Sequence, residues 1–290
     1  LTLSIEPSNH RTIESGPGGL PGFLLEGFMP DAAIEFRDVS FAAAQGRLLL
    51  DRVTLSVEQG TTVAVLGRSG SGKTTLLRTV NRMIEPTSGE VLVQGRPVGE
   101  SDAVTLRRGI GYVVQETGLF PHFKIERNAG IVLELEGRPR SEVAARSREL
   151  MAMVGLDPGQ FAGRYPHQLS GGQRQRVGLA RALAADPAVL LMDEPFGALD
   201  PLTRAEMQDV LRELMAGLKK TVLLVTHDLD EALYLASRIV LIERGRVVAD
   251  VAAGEFLPSE IPAVRDYVRA VHRGNQRECG EAGSVAARPA

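Results

Sequence analysis

Along the chain, short continuous apolar runs alternate with segments whose apolar residues recur at helical spacing. The runs TTVAVLG (61–67), GIGYVVQ (109–115), AVLLMDE (188–194) and TVLLVTH (221–227) read as strands buried on both faces. Each ends on a glycine or on a polar residue capable of chemistry. Between them, GKTTLLRTVNRMI places Leu76, Leu77, Val80 and Ile84 on one helical face, and SEVAARSRELMAMVGL predicts a helix with Ser141 as its N-cap. Strands separated by helices imply a mostly parallel sheet covered on both faces, with ligands bound beyond the carboxyl ends of its strands. Gly67, Gln115, Glu194 and His227 are therefore expected at one edge. No strong strand lies between Gln115 and Val189, and a second helix starts near Ser170. This predicts a helical lobe, residues 116–177, inserted into an α/β core formed by 29–115 and 178–272.

Composition changes this picture little at the centre and more at the ends. With 43% apolar and 24% charged residues the chain has the material for a sizeable core. Residues 1–28, rich in Gly, Pro and Ser and without a sustained period, read as a disordered leader ahead of Met29; residues 273–290 read as a disordered tail. The single cysteine, Cys279, lies in that tail and has no intrachain partner for a disulfide. A balance of 33 Lys+Arg against 36 Asp+Glu, net −3, argues against nucleic-acid binding through bulk positive charge. No stretch approaches the roughly 18 apolar residues of a membrane span, so any action at a membrane is expected from outside the bilayer.

GRSGSGKT (67–74) matches G-x-x-x-x-G-K-[ST] between a predicted strand and a predicted helix, the context in which such a loop cradles phosphates. Gly67, Arg68, Ser69, Gly70, Ser71 and Gly72 supply inward-turning backbone N–H groups, and the helix N-terminus adds partial positive charge. Lys73 reaches the outer phosphates, Thr75 continues the first turn, and the Thr74 hydroxyl suits Mg²⁺. Asp193, at the end of VLLMDEP, suits the shell of the same ion, while Glu194 is placed to polarise an attacking water. Gln115 is a neutral oxygen donor able to touch Mg²⁺ or water, and His227 arrives at the same edge. His122 and His167 have no such placement and read as structural or surface residues. QLSGGQRQR (168–176) raises a different question. Ser170 and Gln173 have the spacing of a capping box, but two glycines inside a cap weaken a helix. They fit close approach of an anion, which makes Ser170–Gln173 a candidate second phosphate site.

With GRSGSGKTT, Gln115, LSGGQ, LLMDEP, GALD and His227 in this order, the chain resembles the ATP-binding-cassette ATPases from about Ile34 to about Ala270. The resemblance implies a P-loop NTPase (RecA-like) parallel-sheet core with an inserted helical lobe and an N-terminal antiparallel β portion. It also implies ATP and Mg²⁺ as ligands and a head-to-tail homodimer. In that dimer Ser170, Gly171, Gly172 and Gln173 contact the nucleotide held by the partner, and Asp200 communicates across the interface. Glu194 is then the general base, with His227, Lys73 and Gln115 completing the catalytic set. NRMIEPTSGEV, LRRGIGYVVQETGLFPH and DEPFGALDPLTR narrow the resemblance to bacterial quaternary-amine importers. Permease subunits in the membrane, an associated substrate-binding protein, and a peripheral place on the cytoplasmic face are implied with it.

One departure stands out. The family places an aromatic, most often Tyr, about two dozen residues before the loop to stack on adenine. Here that position falls near Ala43, with Phe41 two residues away on the same expected strand face, so Phe41 is the candidate substitute. Two other classes remain open on the residues alone: a soluble cassette protein of DNA repair or translation, and an ATP-gated module without turnover.

Overall fold

The computed structural model describes residues 32–115 and 117–272; the readings made for 1–28 and 273–290 lie outside them. The strands are β1 (Ala32–Ala42), β2 (Leu48–Glu58), β3 (Thr62–Leu66), β4 (Ser88–Val93), β5 (Arg96–Pro97), β6 (Ile110–Val114), β7 (Val189–Asp193), β8 (Thr221–Val225), β9 (Arg238–Glu243) and β10 (Arg246–Ala252). The helices are α1 (Lys73–Val80), α2 (Ala103–Arg108), α3 (Ile125–Leu135), α4 (Arg140–Met153), α5 (Pro158–Phe161), α6 (Gly171–Ala182), α7 (Pro201–Leu218), α8 (Leu229–Leu235) and α9 (Ala253–Phe256), and residues 262–272 add a last helical segment.

Two sheets form. An antiparallel one has the order β2-β1-β4-β5, and a six-stranded one has the order β10-β9-β3-β8-β7-β6. In the larger sheet β9, β3, β8, β7 and β6 are parallel, with β10 antiparallel on the edge. The α/β class with an N-terminal antiparallel portion is therefore present as expected.

Strand alternation divides the core by face. Val63, Val65, Leu191, Leu223 and Val225 point to one side, where they meet Leu76, Leu77 and Val80 of α1 together with Ile34, Phe36 and Leu50 of the smaller sheet. Leu190, Met192, Val222 and Leu224 point to the other, against Ala129 and Leu133 of α3, Leu150 of α4, Val177 of α6 and Leu211 of α7. Ala64, Leu66, Ile239 and Leu241 pack on Leu229, Phe256, Val264 and Tyr267. Burying a continuous apolar strand of this kind is worth about 1.5–3 kcal/mol per large side chain, so the strands form the rigid base from which the edge loops project. The helices between β6 and β7 share one core with the sheet.

Three local expectations are corrected. Helix α1 stops at Val80, so Ile84 falls outside it. Arg107 draws the chain away there by donating to the carbonyls of Asn81 (3.1 Å) and Arg82 (2.7 Å), and Arg82 takes a positive φ of 54°. Helix α4 is capped by Pro139 rather than Ser141, its backbone carbonyl accepting from Val143 N–H at 3.0 Å. Proline's fixed φ serves the helix entrance and starts it earlier. Finally, β1 ends at Ala42 with a register shift after Phe41. Ala43 therefore lies beyond the strand, and Phe41 does not share a strand face with it.

Candidate functional site

The loop 67–72 leaves the carboxyl end of β3 and enters α1. Gly67 and Gly72 are required there by space as well as by conformation. A Cβ on Gly67 would come within 2.3 Å of the Ile242 carbonyl oxygen, and one on Gly72, whose φ is 106°, within 2.4 Å of the Leu49 carbonyl oxygen. Lys73 is 5% exposed, and its Nζ donates to the carbonyls of Gly67 (2.8 Å) and Arg68 (3.2 Å). Burial lowers its pKa, opposed by the negative charges of Glu194 and Asp193. The ammonium is thus folded into the loop, facing both carboxylates. Ser71 Oγ is buried and has no hydrogen-bond partner among the described residues. Arg68, Ser69 and Gly70 are exposed on the rim.

Asp193 closes β7. Its Oδ1 accepts the Thr74 hydroxyl at 2.8 Å, while Oδ2 accepts the Tyr112 hydroxyl at 3.5 Å and faces Arg78 at 3.8 Å. A hydroxyl and a carboxylate in contact form the hard-oxygen pair that suits Mg²⁺, whose remaining ligands come from water and phosphate. The orphaned Ser71 hydroxyl beside them fits a phosphate oxygen. Both groups therefore fit the residues present.

Glu194 follows with φ 47°, its N–H held by the Val225 carbonyl at 2.9 Å. That left-handed turn swings its side chain away from Asp193, and Glu194 Oε2 lies 3.1 Å from His227 Nδ1. A carboxylate oxygen accepts, so Nδ1 is the donor in this pair, and Nε2 on the far side of the ring is left free of it. The His227 ring is 61% exposed and Glu194 26%. Gln115, after β6, is exposed, and its amide lies where a Gly197 Cβ would be 3.1 Å away, in the turn that follows Glu194. A cleft of about 400 Å³ runs from Gly67–Ser69 past His227 to Tyr267, whose hydroxyl donates to the His227 carbonyl at 3.2 Å.

Ser170 caps α6 in a complete capping box. Its Oγ accepts Gln173 N–H at 3.2 Å, and Gln173 Oε1 accepts Ser170 N–H at 3.0 Å. Gly171 is exposed and Gly172 buried, the latter against Thr203 at the start of α7. Among the described residues no hydrogen bond joins 170–173 to the loop 67–75. Asp200 caps α7 by accepting Thr203 N–H at 3.1 Å, and its bonds with Thr203 lower its pKa. Phe41 is half-buried and packs on the core beside Leu50, which commits part of its ring.

Sequence reading did not single out Tyr112, Arg78, Arg204 or Asp228, each of which touches a site residue or its neighbour. Tyr112 carried the one usable signal, a polar aromatic inside the apolar run that pairs with β7.

The family model described as ABC transporter matches residues 50–197. The osmoprotectant import ATP-binding protein OsmV of Salmonella typhimurium is 50% identical over 208 residues, covering 72% of this chain and 54% of that protein. The glycine betaine uptake system ATP-binding protein YehX of Escherichia coli is 47% identical over 236 residues, covering 81% of this chain and 75% of that protein. The chain thus spans about half the length of OsmV. Among solved structures, the post-hydrolysis dimer of the ATP-binding cassette MJ0796, bound to ADP and Pi, matches with a TM-score of 0.69 at 33% identity. That match covers 76% of this chain and 98% of that one.

Proposed function

Because the chain belongs to the ABC transporter family, we propose that it is an ATP-binding and ATP-hydrolysing subunit that energises import of a small solute through membrane permease subunits. The solute class we propose is the quaternary-amine osmoprotectants, on the strength of the likeness to OsmV and YehX. The observation that carries the hydrolytic part is the Glu194–His227 contact of 3.1 Å, on the same sheet edge as the Thr74–Asp193 contact of 2.8 Å.

In this reading the backbone of 67–72 and Lys73 hold the phosphates, with the Ser71 hydroxyl adding a donor. Thr74, Asp193 and Gln115 would hold Mg²⁺, which when bound would offset phosphate charge. Glu194 accepts the proton of the attacking water, and His227, oriented by Glu194, keeps Nε2 toward the outermost phosphate and the water. Phe41 supplies partial stacking for the base.

Ser170, Gly171, Gly172 and Gln173 serve the nucleotide of a second copy docked head-to-tail, with Asp200 at the seam. The likeness to a dimeric cassette supports this. Among the described residues no helix is long and apolar enough to cross a membrane. The proposed place is accordingly peripheral, at the cytoplasmic face, beside permeases and, through them, a substrate-binding protein. No nucleic-acid partner is proposed.

The test is ATP turnover by the purified chain and by Glu194→Gln, alone and with its permease. The variant should keep ATP binding, accumulate as an ATP-bound dimer and lose about 100-fold or more in kcat. A wild type without turnover beside its permease, or a fully active Glu194→Gln, would refute the hydrolytic role. Uptake of labelled glycine betaine that survives deletion of the chain in its own host would refute the solute class.

A further inference from the structure

His227 is followed directly by Asp228, which starts α8. Its Oδ1 accepts the N–H groups of Asp230 (2.9 Å) and Glu231 (3.2 Å), while its Oδ2 faces Arg204 Nη1 at 3.5 Å. Arg204 stands in the first turn of α7, and its Nη2 donates to the Leu199 carbonyl at 3.2 Å, one residue before Asp200. One guanidinium therefore holds the segment leading to Asp200 with one arm and the residue after His227 with the other. The planar fork of arginine meets the two with separate nitrogens in a fixed geometry, whereas a lysine would have to reach both from one.

The surroundings make this grip adjustable. Arg204 Nε is buried without a hydrogen-bond partner among the described residues, and so is Glu231 Oε1. Glu231 is 4% exposed. Burial first, and then the like charge of Asp228, push its pKa up to about 8. At neutral pH Glu231 is thus mostly protonated, and the carboxyl that faces Arg204 at 3.5 Å is that of Asp228. A half-satisfied guanidinium between two loops has an incentive to move when either loop moves, because its free N–H is a cost that a shift could relieve.

We propose that Arg204 is a positioning residue that couples the loop carrying Asp200 to the loop carrying His227. The arrangement of the first loop then sets that of the second. The proposal rests on the ATPase reading above and deepens it, since a loop that meets a second copy would report the docking to the histidine. Arg204 touches no reacting atom in this scheme and acts through Asp228.

Two readouts test it on the full chain: the imidazole NMR signals of His227, assigned by their loss in His227→Gln, and the split of kcat from KM for ATP. Arg204→Met removes the fork and keeps much of the side-chain length. Asp228→Asn removes the charge and keeps a competent N-cap. Both should shift the His227 signals in the same direction, and the double variant should add nothing. Each should lower kcat about tenfold, as a misplaced catalytic group does, with KM within about twofold. Arg204→Lys should retain the wild-type melting temperature but not the wild-type kcat. Unmoved His227 signals in Arg204→Met, losses that multiply in the double variant, or full kcat in Arg204→Lys would each overturn the proposal. A wild type with no turnover would sink the ATPase reading alone, and the His227 spectra would still decide the coupling.

Discussion

Replacing Gly171 by alanine separates folding from turnover by giving them opposite signs. Gly171 is the first residue of α6, exposed, and a Cβ built on it meets nothing closer than Leu199 Cδ2 at 3.7 Å, an ordinary contact. The fold therefore has no steric objection. Exchanging glycine for alanine in a helix is favourable by up to about 1 kcal/mol. For a domain of this size that raises Tm by about 2–4 °C. In the proposed head-to-tail dimer the added methyl would nevertheless project where the partner's phosphate approaches the helix N-terminus. The backbone N–H remains, but an oxygen held out of its reach by the methyl would cost about 100- to 1000-fold in kcat, by analogy with the loss of an oxyanion-hole donor. Thermal melting, phosphate release at saturating ATP, and nucleotide titration at concentrations too low for dimerisation give the three numbers needed. The expected pattern is a raised or unchanged Tm, unchanged monomer affinity, and lost turnover. A variant as active as wild type would refute the phosphate contact in trans. Equal loss of Tm, affinity and turnover would mean the glycine serves the chain's own fold. The neighbouring Gly172 is no substitute in this experiment, because its Cβ would press to 2.3 Å from Thr203 Cγ2.

Two further outcomes follow from burial and charge. Glu231 has its pKa raised to about 8 in the folded protein, so the fold favours its protonated form. That stability is complete below the unfolded value of roughly 4.3 and is lost as pH rises through about 8. The Tm of Glu231→Gln minus that of wild type should therefore grow from pH 5 to pH 8 and level off above; a difference independent of pH would contradict the assignment. Phe41→Ala should weaken ATP affinity and narrow the preference for ATP over GTP, beyond the stability lost by emptying its half-buried site. Unchanged nucleotide affinity and preference would remove Phe41 from the nucleotide site.

The strands ending at Leu66, Val114, Asp193 and Val225 were legible because a parallel strand buried on both faces has to be apolar throughout. The first polar or glycine residue then marks its carboxyl end. The convergence of the loop 67–74 with Asp193, Glu194 and His227 follows from that topology without any contact being known. The failures were places where a distant side chain decided a local matter. Helix α1 ends where Arg107, about two dozen residues away, takes the carbonyls of Asn81 and Arg82. The end of β1 before Ala43 depends on its register with β2. Arg204 and Asp228 are 24 positions apart, and neither has a neighbour in sequence that announces the other. Only the Asp228 to Glu231 spacing carries a local signal, that of a helix start, and it explains the cap without pointing to the arginine. The same holds for Arg78 and Tyr112, whose meeting with Asp193 is a product of strand order.

Glu194 sits at a φ of 47°, a left-handed conformation that costs a non-glycine residue about 1–2 kcal/mol. Glycine would lift that cost, and asparagine would bear it more easily than glutamate does. A laboratory selection for thermal resilience, blind to turnover, would thus be drawn to this position and would discard the carboxylate while reporting success. Duplicated copies of such a gene, freed from the need to hydrolyse, face the same gradient. With Glu194 as the proposed base, physical relief at residue 194 gives them a direction in which to drift, toward a chain that still folds and still holds a nucleotide but no longer consumes it.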